Sequence, residues 1–476
     1  MRCIIRKRKI GPVLQSRMAF VLFLCGLWAG VSAASITIDF SQSQGRMKVQ
    51  NGVNGGPFWA AFINPAMVQR HKNAGFAITR FHDCHWPNPD VVDIHCIFPL
   101  FYRDANDSMN YFFKKTDDFV APVIQNGSQI LWRLGESIEH VTSFFIDPPS
   151  DFNKWATICV NIIRHYNAGW NKGFHYGIKY WEVWNEPDKG NMWRGSPDQY
   201  LQLYAATVKA IKAYDPTLKV GGPATSGGSG GFVNTFLAYC RDNSLPLDFF
   251  SYHGYSSSPS AYKSSIEGVR NLLNSYGFTK TEIHFTEWKY FAGDWDILMT
   301  SDSSRYMQKK AAYEAMQTGP AVSSLIASTL IAFQDSPLDM CYYYTSDNGL
   351  WGMFDRHGNP FTSYYAYVAW NQLLQAAPNR VAVTGSLSGE QRVIAGKSDN
   401  GSEAAFMVSN YGQGQTQFSV TLNNIPISGT VRTSRYVIDA TRNFQLASSE
   451  TVSGTNPSIT LDLAPNSVWL VKLTTN

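Results

Sequence analysis

The sequence predicts a (β/α)8 barrel at residues 51–377, followed by a C-terminal antiparallel β-sandwich at residues 378–476. Strand-like and helix-like patterns alternate about eight times before residue 378, which is typical of parallel α/β folds. After that point the helical patterns stop, and short β-rich runs separated by Gly, Ser, Thr and Asn turns take their place. Eight strands with intervening helices favour a closed barrel over an open sheet.

Eight short apolar runs are the predicted barrel strands, at residues 58–62, 78–82, 129–135, 178–185, 219–223, 248–255, 282–288 and 341–345. Amphipathic stretches between and after them predict helices at residues 151–166, 196–214, 232–241, 260–275, 303–317 and 364–375. Ser196 and Pro197 are typical of a helix N-cap and first helical position.

The N-terminal 50 residues are predicted to stand apart from the barrel. Residues 1–33 have a basic stretch, an apolar run and the small residues Ser32 and Ala33, which is the pattern of a signal peptide. The protein is therefore expected to be secreted or periplasmic, without stable membrane insertion after signal removal, and an uncleaved N-terminal anchor is the alternative. In residues 34–50, Ile36 and Ile38 alternate with polar residues, which predicts an edge strand that packs on the β-sandwich.

Charge and cysteine content narrow the function classes. Removal of residues 1–33 takes away six of the 40 Lys and Arg residues and none of the 36 Asp and Glu residues, which leaves a net charge of −2. No basic stripe survives, so no nucleic-acid partner is expected. Five of the seven cysteines remain, and an odd number argues against a disulfide scaffold. Cys84 and Cys96 are expected to lie close enough to bridge, with Cα atoms within about 7 Å.

Two glutamates stand at the ends of predicted strands four and seven. Glu186 follows Trp184-Asn185, and Glu287 precedes Trp288. The C-terminal strand ends form the active site of (β/α)8 barrels, so both carboxylates are expected in one mouth. Two facing carboxylates are what glycoside hydrolysis requires, because one protonates the leaving oxygen and the other attacks the sugar or activates water. The alternative is that each glutamate only pairs with a buried arginine.

These motifs resemble the clan of (β/α)8 glycoside hydrolases whose catalytic acids follow strands four and seven. Within that clan the chain most resembles glycoside hydrolase family 39, the β-xylosidase and α-L-iduronidase family. The motifs that carry the resemblance are Trp184-Asn185-Glu186-Pro187, Thr286-Glu287-Trp288, Thr79-Arg80-Phe81-His82 and Ser251-Tyr252-His253-Gly254-Tyr255. The resemblance implies a retaining, β-xylosidase-like enzyme that cleaves O-glycosidic bonds of a polysaccharide or oligosaccharide by double displacement.

The resemblance also implies roles for individual residues. Glu186 is expected to be the acid/base and Glu287 the nucleophile, with a pKa of Glu186 raised toward neutral by apolar rings and the second negative charge. Arg80 and Tyr255 are expected to keep Glu287 ionised, and Asn185 to bond the sugar 2-hydroxyl. The residues predicted to bind substrate are Asn185, Arg80, His82, His253, Tyr255, Trp288 and Trp351.

Several alternatives stay open at this point. The substrate specificity is in doubt because Asp83 follows His82 and Lys289 follows Trp288, neither of which the family pattern predicts. Arabinoside, uronic-acid and endo-acting glycosidases of the same clan are therefore alternatives, as is a non-catalytic carbohydrate-binding barrel. No cofactor and no metal are predicted, because the histidines, cysteines and aspartate between residues 82 and 96 fit no structural zinc spacing.

Overall fold

The computed structural model describes residues 34–56, 65–82, 90–137, 144–347, 351–355 and 357–475. The predicted fold class is confirmed, because eight strands form a closed parallel barrel and nine strands form a separate, mainly antiparallel sheet. The first strand of the chain, β1 (Ala34–Arg46), belongs to the nine-stranded sheet. The eight barrel strands follow in chain order: β2 (Gly52–Asn54), β3 (Ile78–Phe81), β4 (Gln129–Leu134), β5 (Tyr180–Val183), β6 (Lys219–Thr225), β7 (Phe249–Ser256), β8 (Glu282–Tyr290) and β9 (Met340–Tyr343).

Helices connect the barrel strands and surround them. They are α1 (Pro65–Ala74), α2 (Ile94–Ile97), α3 (Lys114–Gln125), α4 (Phe152–Ala168), α5 (Pro197–Tyr214), α6 (Gly231–Asp242), α7 (Pro259–Ser275), α8 (Trp295–Leu298), α9 (Tyr306–Ala315), α10 (Pro320–Phe333) and α11 (Thr362–Ala376). Short 3-10 turns lie at Ser108–Asn110 and Ser303–Arg305. At the predicted cap of α5, the Ser196 hydroxyl accepts from the Gln199 backbone and the Gln199 side chain accepts from the Ser196 backbone, which confirms the N-cap.

The first barrel strand differs from the sequence prediction. The barrel closes through β2, which pairs in parallel with β3 and β9, whereas the predicted strand at residues 58–62 lies outside the described residues. A three-residue strand that contains Gly52 has no apolar run, so hydrophobic pattern does not reveal it. Gly52 is required by close packing, since a Cβ there would lie 2.4 Å from the Cys341 carbonyl oxygen.

Helices α1, α3 and α10 were not predicted from the sequence, and α10 is the longest of the three. Its residues from Val322 to Phe333 are all buried, because the helix lies between the barrel and the nine-stranded sheet. Two hydrogen bonds link it to the sheet side, from the Ser409 hydroxyl to the Ser324 carbonyl oxygen at 2.7 Å and from the Ser328 hydroxyl to the Glu390 carbonyl oxygen at 2.9 Å. A helix that is buried on every side has no amphipathic period to detect.

The nine-stranded sheet curls around its own apolar core. Besides β1 it contains β10 (Asn379–Gly385), β11 (Arg392–Lys397), β12 (Ala404–Ser409), β13 (Thr416–Asn423), β14 (Val431–Ile438), β15 (Asn443–Val452), β16 (Ser458–Leu463) and β17 (Val468–Thr475). The strand order is β15-β14-β17-β12-β11-β10-β1-β13-β16. Strands near both ends of this order, β14 and β16, contribute to one buried cluster, so the two halves of the sheet face each other as in a sandwich.

Strand β1 pairs with strands of the sheet on both of its sides. It runs antiparallel to β10 and parallel to β13, with Ile38 opposite Val383 and Leu422. Ile36, Ile38 and Phe40 are buried in the core of the sheet, and the residues between them are more exposed. The alternation of apolar and polar residues therefore orients this strand, because successive side chains point to opposite faces.

Within the described part of the chain, no single helix is long and apolar enough to cross a membrane. One bent pair, Ser303–Ala315 with Pro320–Phe333, reaches that length and composition only when its two helices are taken together.

The packing of β1 predicts that truncating its core side chain destabilises the fold. We expect Ile38→Ala to lower the free energy of unfolding by about 2–4 kcal/mol, because it leaves a cavity between two central strands. Thr37→Ala, on the opposite face of the same strand, is the matched control and is expected to cost about 1 kcal/mol or less. Urea unfolding followed by circular dichroism measures both, and equal losses would contradict the assignment of Ile38 to the core.

Candidate active site

The guanidinium of Arg80 is the centre of the polar network inside the barrel mouth. Arg80 is fully buried on β3, and its Nε donates to Glu182 Oε2 at 2.7 Å. One terminal nitrogen donates to Asn54 Oδ1 at 3.0 Å and to Glu287 Oε1 at 3.1 Å, and the other donates to Asn185 Oδ1 at 2.7 Å. Burial lowers the pKa of Arg80, but the two carboxylates outweigh burial and the net pKa is raised, so Arg80 stays charged.

Glu287 has partners on both carboxylate oxygens. Besides Arg80 on Oε1, the Tyr255 hydroxyl donates to Oε2 at 2.6 Å, and His82 Nε2 lies 3.7 Å from Oε1. Burial and the charge of Glu287 raise the pKa of Tyr255 well above its ordinary value, so the phenol keeps the proton that it donates. The structure thus brings Arg80, Tyr255 and His82 to Glu287, with contacts that stabilise an anionic carboxylate.

Glu186 lies across the mouth from Glu287, and His253 lies between them. His253 Nδ1 is 2.9 Å from Glu186 Oε1 and 3.6 Å from Glu287 Oε2. One oxygen of each carboxylate and a ring nitrogen of His253 all lie within 4.8 Å of one another. The side chain of Glu186 is 16% exposed and that of Glu287 is 8% exposed, so Glu186 lies on the outer, solvent side of the pair.

The expected direction of the Glu186 pKa is wrong. Burial raises the pKa of Glu186, but the hydrogen bond and positive charge of His253 outweigh burial, and the net pKa is below its ordinary value. Burial in turn lowers the pKa of His253, while Glu287 and Glu186 together raise it above its ordinary value. This pairing was not predicted, because the sequence indicated only that His253 binds substrate and not that it contacts Glu186.

Irregular backbone at two strand ends aims the two glutamates into the mouth. After β5, Trp184 and Glu186 adopt positive φ values of 69° and 42°, which L-residues rarely adopt and which break the simple alternation of the strand. In β8 the pairing with β7 shifts, so that Tyr252 lies opposite Phe285 while His253 lies opposite Glu287. Thr286 is the extra residue of this bulge, and Glu287 points inward as a result.

The same bulge excludes Trp288 from the site, and its predicted substrate contact is wrong. Trp288 is fully buried and packs against Tyr262, Phe333 and Tyr343 on the outer side of the strand. Adjacent strand residues point to opposite faces, so Glu287 and Trp288 cannot both line the mouth. Trp351 does lie at the mouth, with its ring centroid 6.0 Å from that of Tyr255.

Asn185, next to Glu186 in sequence, belongs to the Arg80 network, while its bond to the sugar 2-hydroxyl stays a prediction. Its Oδ1 accepts from Arg80, which orients the amide so that Nδ2 is the donor end, and Nδ2 donates to Met192 Sδ at 4.0 Å. Neighbouring Trp184 is locked in the core, because its indole nitrogen donates to the Met192 carbonyl oxygen at 2.9 Å and its ring packs on Trp193. The buried tryptophan therefore acts as a rigid support for the strand end that carries Asn185 and Glu186.

Two residues of the network were not predicted. Glu182 forms a fully buried ion pair with Arg80, and Asn54 joins Arg80 to the backbone of β8 through a 2.7 Å hydrogen bond to the Thr286 carbonyl oxygen. Glu182 could have been found, because it is an acid at an inward position of β5, four residues before Glu186. Asn54 carries no comparable signal, since the strand that holds it is only three residues long.

A second cluster of polar side chains lies beside the site. Asp93, His95 and Glu136 each have an atom within 4.8 Å of the others, which is short enough for a shared cation. Asp93 is already paired with Arg133 at 2.6 Å and accepts from the Ser137 backbone at 2.7 Å. The charge of Asp93 is therefore already compensated by Arg133. The histidine and cysteine that the sequence analysis considered with His95, His85 and Cys84, lie outside the described residues, as does the predicted Cys84–Cys96 bridge.

Lys289 is a buried cation next to the mouth. Its Nζ donates to the Trp351 carbonyl oxygen at 2.7 Å and lies 4.8 Å from the centroid of the Tyr343 ring. Burial lowers the pKa of Lys289 to about 7, while the charge of Asp347 acts in the opposite direction. Lys289 therefore holds the backbone of the Trp351 segment.

The lowered pKa of Lys289 predicts a pH dependence of stability. The unfolded chain binds a proton on this lysine up to about pH 10.5, whereas the folded chain releases it near pH 7, so the free energy of unfolding rises with pH across that window. We expect Lys289→Met to remove about 3 kcal/mol of the rise between about pH 7 and pH 9.5. Exposed Lys114→Met is the control and should keep the wild-type slope. Urea unfolding at several pH values measures the slopes, and identical slopes in all three proteins would refute the assignment.

Two curated relatives are similar in sequence. A β-xylosidase of Geobacillus stearothermophilus is 29% identical over 252 residues, which is 48% of this chain and 48% of that protein. A β-xylosidase of Caldicellulosiruptor saccharolyticus is 25% identical over 336 residues, which is 63% of this chain and 62% of that protein. The chain thus matches about half of the first relative and less than two thirds of the second.

The fold is similar to solved structures over nearly the whole chain. A glucosidase from Croceicoccus marinus superposes with a TM-score of 0.80 at 24% sequence identity, covering 93% of this chain and 99% of that one. Residues 70–391, which include the barrel mouth from Arg80 to Trp351, match the family model of the glycosyl hydrolases family 39. The chain therefore belongs to glycosyl hydrolase family 39.

Proposed function

We propose that this protein is a retaining glycosidase that hydrolyses O-glycosidic bonds by double displacement, with Glu287 as the nucleophile and Glu186 as the acid/base. The observation that carries the proposal is the pair of carboxylates that share His253 and have oxygens within 4.8 Å of each other. Retaining enzymes hold their two carboxyl groups about 5–5.5 Å apart, whereas inverting enzymes need roughly 6.5–9.5 Å to admit a water. The short separation supports retention.

In the first step, a Glu287 oxygen attacks the anomeric carbon and the bond to the leaving oxygen breaks. Arg80 and Tyr255 hold Glu287 as an oriented anion for this attack. Glu186 protonates the leaving oxygen. The proton is the one that Glu186 shares with His253 across their 2.9 Å contact. The products are the leaving alcohol and a glycosyl ester on Glu287.

In the second step, water enters where the alcohol left and attacks the anomeric carbon. Glu186 accepts a proton from this water, the ester bond breaks, and Glu287 returns to its carboxylate form. Formation of the ester removes the charge of Glu287. That charge is the strongest of the influences that raise the pKa of His253, so the pKa of His253 falls once the ester has formed. Two displacements at the same carbon return the sugar with its original anomeric configuration.

The sugar and the location of the protein are further parts of the proposal. A β-xylosidase-like specificity is supported by the two similar β-xylosidases, and an oligosaccharide or polysaccharide is the proposed source of the sugar. The signal-peptide pattern of residues 1–33 supports a secreted or periplasmic enzyme that takes part in polysaccharide degradation.

Substitution of the two glutamates is expected to lower activity in different ways. Glu287→Ala removes the nucleophile, so activity on every substrate should fall by about 10⁴-fold or more. Glu186→Ala removes only proton transfer, so an alkyl or sugar leaving group should lose about 10²–10⁴-fold, while an activated aryl glycoside still forms the ester and azide speeds its turnover. Steady-state rates with and without azide measure this. Glu267→Ala, at an exposed site on α7, is the matched control, and a retained β-glycosyl azide formed by Glu287→Ala and not by Glu186→Ala would reverse the assigned roles.

The stereochemistry of the first product tests the mechanism directly. With an aryl β-xyloside as substrate, proton NMR during the first minutes should detect β-xylose before it mutarotates, because double displacement retains configuration. An initial α-product would mean a single displacement by water. Aryl glucosides and arabinosides assayed in parallel identify the sugar, and a faster rate on either one would overturn the xylosidase specificity while leaving the glycosidase proposal standing.

A further inference from the structure

An aromatic and apolar segment rises beside the mouth after strand β8. It runs from Phe291 through α8 to the start of α9, and four of its large apolar side chains are exposed: Trp295, Met299, Tyr306 and Met307. Exposed apolar groups of this density mark a binding surface more often than they mark bulk protein surface. No residue of this segment takes part in the two-step mechanism.

The segment is built on its own small core. Leu298, Tyr313 and Met316 are buried together, and Phe291 and Trp351 pack against them. Phe291 stacks on Trp295 at 4.4 Å between ring centroids, with an interplanar angle of 20°. The indole of Trp295 is therefore supported from behind while 42% of the residue stays exposed.

Trp295 is connected to the catalytic pair through one residue. Its ring contacts the edge of Tyr255 at 5.4 Å and 89°, and the Tyr255 hydroxyl donates to Glu287 at 2.6 Å. Tyr255 lies two residues beyond His253 on β7, in the direction of solvent, and His253 contacts Glu186. Trp295 thus lies on the rim of the mouth, outward of both carboxylates.

The leaving group must occupy this outer region. Glu186 protonates the leaving oxygen in the proposed mechanism, and it is the more exposed of the two glutamates. A sugar seated on Glu287 therefore directs its leaving group outward, past the rim. We propose that Trp295 is the stacking platform of a leaving-group subsite that selects flat, apolar aglycones, such as the fused aromatic rings of phenolic glycosides. This inference rests on the proposed glycosidase function.

The chemistry of the segment favours an apolar aglycone over a second sugar. Methionine side chains adapt to irregular apolar surfaces, and the exposed Met299 and Met307 follow Trp295 in the same segment. A second sugar presents hydroxyl groups around its ring, and those groups lose hydrogen bonds with water when they are placed against methionine methyl groups. A flat aromatic aglycone has no ring hydroxyl groups whose hydrogen bonds with water would be lost, and it stacks on the face of the indole.

The experiment compares three β-xylosides, with phenyl, 2-naphthyl and xylosyl (xylobiose) leaving groups, in wild type and in Trp295→Ala. Phenol and 2-naphthol are of similar acidity, so their comparison isolates ring size. We expect Trp295→Ala to lower kcat/KM for the naphthyl xyloside by about three- to tenfold, the range of one stacked ring. The change should appear in KM, and the loss on xylobiose should be at least threefold smaller. Trp295→Phe is expected to restore most of the naphthyl activity.

Tyr214→Ala is the matched control, an exposed aromatic at the C-terminal end of α5 and hence at the opposite face of the barrel. Equal losses on all three substrates would show that Trp295 acts through Tyr255 on the chemistry, and a loss confined to xylobiose would assign the rim to a sugar. A wild-type dimer that Trp295→Ala converts to a monomer in gel filtration would assign it to a second copy. Each of these results overturns the proposed aglycone subsite but leaves the proposed glycosidase function standing. A wild-type protein that is inactive on every glycoside overturns both.

Discussion

The buried charge of Arg80 is the constraint on which the geometry of the mouth depends. A guanidinium removed from water costs several kcal/mol unless its donors are satisfied. Its partners come from three barrel strands and one strand end: Asn54 on β2, Glu182 on β5, Glu287 on β8 and Asn185 after β5. Because these partners surround one planar group, their positions relative to one another are restricted. Two of them, Glu287 and Asn185, have proposed functional roles, and their positions are therefore fixed by Arg80.

The charges of the mouth nearly balance, which gives the proposed mechanism its proton. Glu182 and Glu287 share the single positive charge of the Arg80 guanidinium. Glu186 is left with His253 as its cationic partner. A carboxylate and an imidazole at 2.9 Å can exchange one proton without bringing a charge in from solvent, so the acid and base forms of Glu186 are both accessible within the same hydrogen bond.

This arrangement requires irregular backbone at the strand ends, and the surrounding packing stabilises that backbone. The positive φ values of Trp184 and Glu186 and the bulge at Thr286 are unfavourable alone, and such features persist where the environment over-determines them. Trp184 is held by Met192 and Trp193, and Asn54 holds the Thr286 carbonyl oxygen. Below the network, Ile78, Leu131, Phe249 and Tyr342 fill the barrel and keep water from reaching the charges from beneath.

The sequence by itself determined the fold class and the two glutamates at matched strand ends, because strand and helix periods and the position of an acid after a strand are local features. It also predicted Arg80 and Tyr255 as neighbours of Glu287 through the family resemblance, and the structure brings both there. The tertiary structure alone decided that Trp288 points away from the mouth, that His253 pairs with Glu186, and that Glu182 neutralises Arg80. Each of these depends on which face a side chain presents after a bulge or a turn of positive φ, and one shifted residue reverses that face. A contact between β5 and β7, or between β3 and β8, is set by barrel closure and leaves no mark on the spacing of residues along the chain.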